Sequence, residues 1–184
     1  MFPIRQCPMR HFSRRCLSLF SANILFCLLF VCVDEVRSEN LPKPTGPVLL
    51  EVAGSLENRT APDGVVFDRD MLWSLGETII ETSTIWTDGV KRFRGVLVSA
   101  ILEATGAKGA EIDALAHDEY VISIPRAELE QYGVILALEM DGKPLTTRTK
   151  GPVWMIYPRD SFPELQEDIY TLRMVWHTKR LTVK

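Results

Sequence analysis

The segment from Thr78 to Gly89 constrains the fold more than any other part of this chain. It begins with an apolar run, Thr78-Ile79-Ile80, and continues through small hydroxyl side chains to Trp86 and an Asp88-Gly89 pair. β-branched residues favour a strand, and Asp-Gly favours a tight turn. A strand that ends in this way places an aromatic face and polar groups at one rim of a sheet. We therefore expect a ligand-facing rim around Trp86.

The first 38 residues have the pattern of an export signal. Residues 1–15 carry four arginines and no acidic residue, and residues 17–33 form a nearly unbroken apolar run. Val36-Arg37-Ser38 then offers residues that a signal peptidase accepts. The sequence predicts that residues 1–38 are a signal peptide and that the mature protein is periplasmic, without membrane insertion. The general and twin-arginine export routes are both open, and an uncleaved anchor is the alternative.

Cysteine usage and charge exclude several kinds of function. The cysteines are Cys7, Cys16, Cys27 and Cys32, so the mature chain would have no disulfide and no thiolate ligand. Removal of the signal leaves 16 Lys and Arg against 22 Asp and Glu, a formal charge of −6. An acidic surface without basic clusters argues against nucleic acids and anionic membranes as partners.

The mature chain is predicted to be one strand-rich α+β domain. Residues 39–47 read as a Pro-rich leader, and residues 48–184 as the folded domain. Apolar, strand-like runs occur at 48–54, 78–80, 112–116, 120–124, 134–138 and 153–158, and residues 170–176 and 181–184 are expected to pair as a closing hairpin. Helical spacing occurs at 67–75, 97–105 and 126–132, which predicts three short helices.

Four motifs in this order resemble the molybdopterin-binding domain of the sulfite oxidase family. They are Trp86 followed by Phe93-Arg94-Gly95-Val96, the segment from Ala116 to Ile124-Pro125, the segment from Leu136-Ala137 to Pro144-Leu145, and the segment from Gly151-Pro152-Val153-Trp154 to Tyr157-Pro158. Together they extend over most of residues 48–184. The resemblance implies a sulfite oxidase molybdopterin-domain-like fold with a site for a pterin.

The position that would hold molybdenum departs from the family pattern. In many bacterial members of this family a Cys lies four residues before the Trp, and its thiolate ligates the metal; here that position is Thr82. A neutral hydroxyl does not replace a soft thiolate, and His117 and His177 lack a metal-binding spacing. We therefore expect no molybdenum and no enzymatic activity. The alternatives are a molybdopterin-dependent oxidoreductase, or a remnant of one that keeps redox activity through a partner, and a purely structural periplasmic adaptor with an empty pocket.

A pterin site makes sense without the metal. A pterin is flat and electron-rich and has an edge of N–H donors, so aromatic side chains stack on it and carboxylates accept its hydrogen bonds. The candidate ligand-binding residues are Trp86, Asp88, Asp118, Tyr120, Trp154, Tyr157 and Thr82.

The predicted mature chain is small, exported and free of cysteine, and in this it resembles the PruR-type periplasmic pterin-binding proteins. That resemblance implies a binding protein for a reduced, tetrahydropterin-like ligand. It also implies a partner, the periplasmic sensor domain of a membrane-bound diguanylate cyclase/phosphodiesterase. The expected function is therefore control of cyclic di-GMP signalling, and with it biofilm formation and attachment.

Several candidate residues have a second interpretation. Asp88 is equally consistent with a turn residue that bonds its own backbone. Tyr120 is consistent with a strand residue that has one solvated end, and Trp154 with core packing. Arg148 and Lys150 either contact a pterin side chain or form a solvated hairpin face.

Overall fold

A computed structural model describes residues 41–184, so the predicted signal peptide lies outside the described residues. Within this range, ten strands form two five-stranded sheets. The strands are β1 (Leu50–Gly54), β2 (Gly64–Phe67), β3 (Thr78–Ser83), β4 (Val90–Leu97), β5 (Glu111–Ala116), β6 (Val121–Pro125), β7 (Ile135–Met140), β8 (Lys143–Pro144), β9 (Trp154–Ile156) and β10 (Thr178–Val183). The prediction of a strand-rich α+β domain is confirmed.

Short helices connect the strands. In the described part of the chain they are α1 (Arg69–Ser74), α2 (Val98–Ala104), α3 (Arg126–Gln131) and α4 (Asp168–Arg173), with 3-10 turns at Thr147–Thr149, Arg159–Ser161 and Pro163–Gln166. The first three helices correspond to the three predicted ones, whereas α4 was not expected. Among residues 41–184, no helix combines the length and the apolar character needed to cross a membrane.

The first sheet has the order β2-β1-β10-β5-β6. Its strands pair antiparallel except for β1 and β10, which run parallel. Strand β5 shows why one face of this sheet is core: Ile112, Ala114 and Ala116 are buried, whereas the residues between them are partly exposed. This period of two matches the alternation of side chains along a strand. Because β5 and β6 pair as an antiparallel hairpin, the turn between them lies at one end of the sheet.

The second sheet is built around β4 and β7. Strand β4 pairs with β3 on one side and with β7 on the other, and β7 also pairs with β8 and β9. Residues 135–138 of β7 are all fully buried, which explains why this strand is a continuous apolar run. Because β3 and β4 form a hairpin, the Trp86 turn projects from the end of this sheet.

The predicted closing hairpin is wrong. Residues 168–173 form α4, and from the predicted strand only Trp176 makes a bridge, to Trp154. Strand β10 pairs instead with β1 and β5. The alternating Tyr170, Leu172, Met174 and Trp176 gave a strand-like period, but an ion pair between Arg173 and Glu128 of α3 holds the beginning of this segment in a helix.

Candidate ligand-binding site

A cavity of about 220 Å³ lies beside Trp86. Three segments that are distant in sequence form its walls: the β3–β4 turn, the β5–β6 turn, and the end of α4 with the loop that follows it. Its lining residues are Trp86, Ala116, Asp118, Tyr120, Thr171, Leu172, Met174, Val175 and Trp176. Since most of these side chains are apolar or aromatic, the cavity suits a ligand that presents an apolar or aromatic face.

Two indole rings form the aromatic part of the wall. The ring centroids of Trp86 and Trp176 are 4.9 Å apart at an interplanar angle of 77°, an edge-to-face contact. Behind them, the Trp154 ring lies 6.1 Å from that of Trp86. The backbone N–H of Trp86 donates to the Thr84 hydroxyl at 3.1 Å, and this hydroxyl also bonds that of Thr87 at 2.9 Å. The polar turn therefore fixes the position of an aromatic side chain.

The polar rim of the cavity is the β5–β6 turn. Asp118 is exposed, and its Oδ1 accepts a hydrogen bond from the backbone N–H of Tyr120 at 3.2 Å. The Tyr120 hydroxyl donates to the carbonyl oxygen of Leu172 at 3.2 Å, which links this turn to α4 across the cavity. Burial raises the pKa of the Tyr120 hydroxyl, so the group keeps the proton that it donates. A carboxylate beside two indole faces is able to accept an N–H group of a stacked heterocycle.

An internal polar network anchors the α4 wall. Arg173 forms an ion pair with Glu128, and the other oxygen of this carboxylate accepts from the Tyr157 hydroxyl at 2.6 Å. Burial, followed by the bond to Glu128, raises the pKa of Tyr157 far above its ordinary value. The tyrosine thus remains a neutral donor, and α4 is tied to α3 next to the core.

The structure brings three of the predicted site residues together and separates the other four. Trp86, Asp118 and Tyr120 line the cavity. The remaining candidates were expected beside them and lie elsewhere: Asp88, Trp154, Tyr157 and Thr82.

The positions of these four residues correct the predicted pocket. Asp88 is an exposed residue of the β3–β4 turn. Trp154 and Tyr157 are fully buried in the core, where Trp154 donates from Nε1 to the Met174 carbonyl at 3.1 Å. Trp154 thus supports the wall from behind, in agreement with its core-packing interpretation.

Thr82 is also fully buried, and it contacts Asp160 rather than the cavity. Its hydroxyl accepts from the backbone N–H of Asp160 at 3.2 Å. The Asp160 carboxylate in turn accepts from the N–H and the hydroxyl of Ser83, at 2.6 Å and 2.7 Å. Asp160 therefore covers the end of β3, where the resemblance would place a metal ligand.

The residues present do not fit a thiolate-held metal. Thr82 offers no thiolate and is already engaged by Asp160. Within residues 41–184 there is also no group of three or more His, Cys, Asp or Glu side chains arranged to hold a metal ion. We therefore derive no chemistry through molybdenum for this chain.

Sequence reasoning missed the α4 side of the cavity. Trp176, Leu172 and Thr171 line it, but they fall in the segment that was interpreted as a strand. Their local pattern carries no sign of a ligand site. Their role depends on the position of α4, which the distant contacts of Arg173 and Tyr120 determine.

Comparison with known proteins identifies the fold. Residues 77–162 match the family model of the oxidoreductase molybdopterin binding domain. No curated protein matches the sequence. A similar solved structure is the sulfane dehydrogenase SoxCD from Paracoccus pantotrophus, with 17% identity and a TM-score of 0.57, over 78% of this chain and 40% of that chain.

At this identity the likeness to the dehydrogenase concerns the fold alone, and this chain spans only 40% of the length of that chain. The family match and the structural match nevertheless agree with the motifs and with the strand-rich architecture. The chain thus carries an oxidoreductase molybdopterin binding domain match over residues 77–162 and has the sulfite oxidase-like molybdopterin-binding fold.

Proposed function

We propose that this protein is a periplasmic binding protein for a reduced pterin and not an enzyme. The observation that carries the proposal is the cavity walled by the indoles of Trp86 and Trp176, with the Asp118 carboxylate at its rim. Indole faces stack on a flat, electron-rich ring, and a carboxylate accepts hydrogen bonds from its amino edge. A domain type described as molybdopterin-binding supports a pterin-related ligand.

The chemistry at Thr82 supports binding over catalysis. A molybdenum oxidoreductase of this fold needs a sulfur ligand, and the position that would supply it holds a buried hydroxyl bonded to the backbone of Asp160. The cavity beside Trp86 does not include Thr82. A pterin in this cavity is therefore a ligand held by stacking and hydrogen bonds, without a metal.

The proposed protein partner is the periplasmic sensor domain of a membrane-bound enzyme that makes and degrades cyclic di-GMP. The ligand shifts such a partner only as far as the loaded and empty forms differ in affinity for it. Leu172 and Tyr120 line the cavity and are also exposed, so an occupied cavity alters a surface that a partner is able to contact.

Replacement of Trp86 tests the binding function. Trp86→Ala removes one stacking face, so we expect tetrahydrobiopterin to bind about ten- to hundredfold more weakly in isothermal titration calorimetry. In cells, wild-type protein should change the cyclic di-GMP level when pterin is available, and the variant should not.

Trp73→Ala is the matched control for this experiment. Trp73 is a half-buried indole on α1 that packs under Arg94, at 4.6 Å, and it does not line the cavity. It should keep the wild-type affinity. Equal affinity of wild type and a folded Trp86→Ala variant, judged by circular dichroism, would remove Trp86 from the site.

A further inference from the structure

A lysine ammonium group contacts an aromatic ring of the cavity wall. The Nζ atom of Lys150 is 5.1 Å from the centroid of the Trp176 ring and 5.8 Å from that of Trp154. Lys150 is not among the cavity-lining residues, but it contacts the ring of Trp176, which is one of them. No acidic side chain of the described residues forms an ion pair with it. The aromatic rings are therefore its electrostatic partners.

Backbone hydrogen bonds anchor the turn that carries Lys150 next to Trp176. Lys150 has a left-handed φ of 69° at the end of the 3-10 turn, and its carbonyl accepts from the N–H of His177 at 3.1 Å. The His177 ring nitrogen Nε2 bonds the Thr147 carbonyl at 3.0 Å. Residues 147–150 are thus attached to the chain directly after Trp176, which keeps the backbone of Lys150 close to that indole.

A cation held against an indole changes which ligands that ring attracts. Tryptophan faces attract cations through their negative electrostatic potential. Here Lys150 already uses that attraction, and its fixed charge repels a second cation only one ring away. The same charge draws electron density from the ring, which improves stacking with an electron-rich, uncharged partner.

We propose that Lys150 determines the charge specificity of the cavity. The site then takes planar heterocycles that are neutral or anionic and rejects planar cations, which an aromatic wall would otherwise favour. This inference rests on the proposed ligand-binding role of the cavity and goes beyond it by fixing the charge class of the ligand.

The test is Lys150→Met with two probes, titrated in parallel by tryptophan fluorescence. The neutral probe is tetrahydrobiopterin, and the cationic probe is N-methylquinolinium. We expect the variant to bind tetrahydrobiopterin about three- to tenfold more weakly, and to bind N-methylquinolinium more tightly by a similar factor. Lys150→Arg keeps the charge and should behave as wild type.

Arg148→Met removes an exposed charge from the same turn and should leave both affinities unchanged. A loss of affinity for both probes in Lys150→Met would mean that Lys150 only supports the wall, which would overturn the proposal. Unchanged affinities for both probes would also overturn it. So would a failure of the variant to bind N-methylquinolinium. If wild-type protein fails to bind tetrahydrobiopterin, the pterin function falls, whereas the cationic probe still decides the role of Lys150.

Discussion

At the scale of single residues, Thr82 stands where the resemblance to the sulfite oxidase family would place a molybdenum-ligating Cys. Its hydroxyl is buried and accepts from the Asp160 backbone, and the Asp160 carboxylate closes over Ser83. The residue that would ligate molybdenum has become part of the internal hydrogen bonding at the end of β3. Trp86, four residues later, faces the cavity instead.

Replacement of Thr82 by an isosteric apolar residue separates structure from binding. Thr82→Val leaves the Asp160 N–H without its acceptor, so we expect the free energy of unfolding to fall by about 1 kcal/mol, measured from the urea midpoint. The affinity for tetrahydrobiopterin should not change. A tenfold weaker affinity in this variant, with Thr82→Ser behaving as wild type, would return Thr82 to the ligand site.

At the scale of elements, α4 is the part of the cavity wall that depends on long-range contacts. Its Arg173 pairs with Glu128 of α3, and the two side chains are only 16% and 11% exposed. The Tyr120 hydroxyl bonds the carbonyl of Leu172 near the end of the same helix. These contacts set where Leu172 and Trp176 stand relative to the indole of Trp86.

Breaking the ion pair should weaken both the fold and the site. Arg173→Met leaves the Glu128 carboxylate in the interior without its cation, so we expect the free energy of unfolding to fall by about 2–3 kcal/mol. Tetrahydrobiopterin should bind several times more weakly because the α4 wall shifts.

The control for this change is Lys108→Met. It removes one partner of the Lys108–Glu57 pair, whose side chains are 62% and 63% exposed, and should cost less than about 0.5 kcal/mol. Chemical denaturation gives the stabilities and calorimetry the affinities. Equal stability of Arg173→Met and Lys108→Met would contradict the anchoring role of α4.

The sequence predicts elements well where their signal is local. The apolar run of β7 and the spacing of α1 were both recognisable, and each element appears within a few residues of its predicted position. Residues 170–176 were misread because their alternation imitates a strand, while the ion pair that stabilises α4 joins positions 45 residues apart. The Trp176 side of the cavity was missed for the same reason.

The prediction of site residues is limited in the same way, because long-range packing determines which side chains line the cavity. Trp86 stood out because a tryptophan in a polar turn has no evident core partner in sequence, and it does line the cavity. Trp154 begins the fully buried strand β9 and Tyr157 follows its last residue, and a strand end alone does not reveal which aromatic side chains face inward. Packing between elements decides which aromatic side chains are buried, and a local sequence pattern does not contain that information.

At the scale of the whole domain, the fold brings together turns from both sheets. Trp86 comes from the turn at the end of the β3–β4 hairpin, and Asp118 and Tyr120 come from the β5–β6 turn of the other sheet. The Trp154–Trp176 bridge connects β9 to the segment that precedes β10. The cavity is therefore a product of the sheet arrangement, and Thr82 is not among its lining residues.

The central claim is that this fold holds a pterin without molybdenum. The most direct test is native mass spectrometry with elemental analysis on protein purified from the periplasm under reducing conditions, followed by reconstitution with tetrahydrobiopterin. We predict a mass increase that corresponds to one pterin per chain, either on purification or after reconstitution, and no molybdenum. Stoichiometric molybdenum, or failure to bind the pterin after reconstitution, would contradict the account.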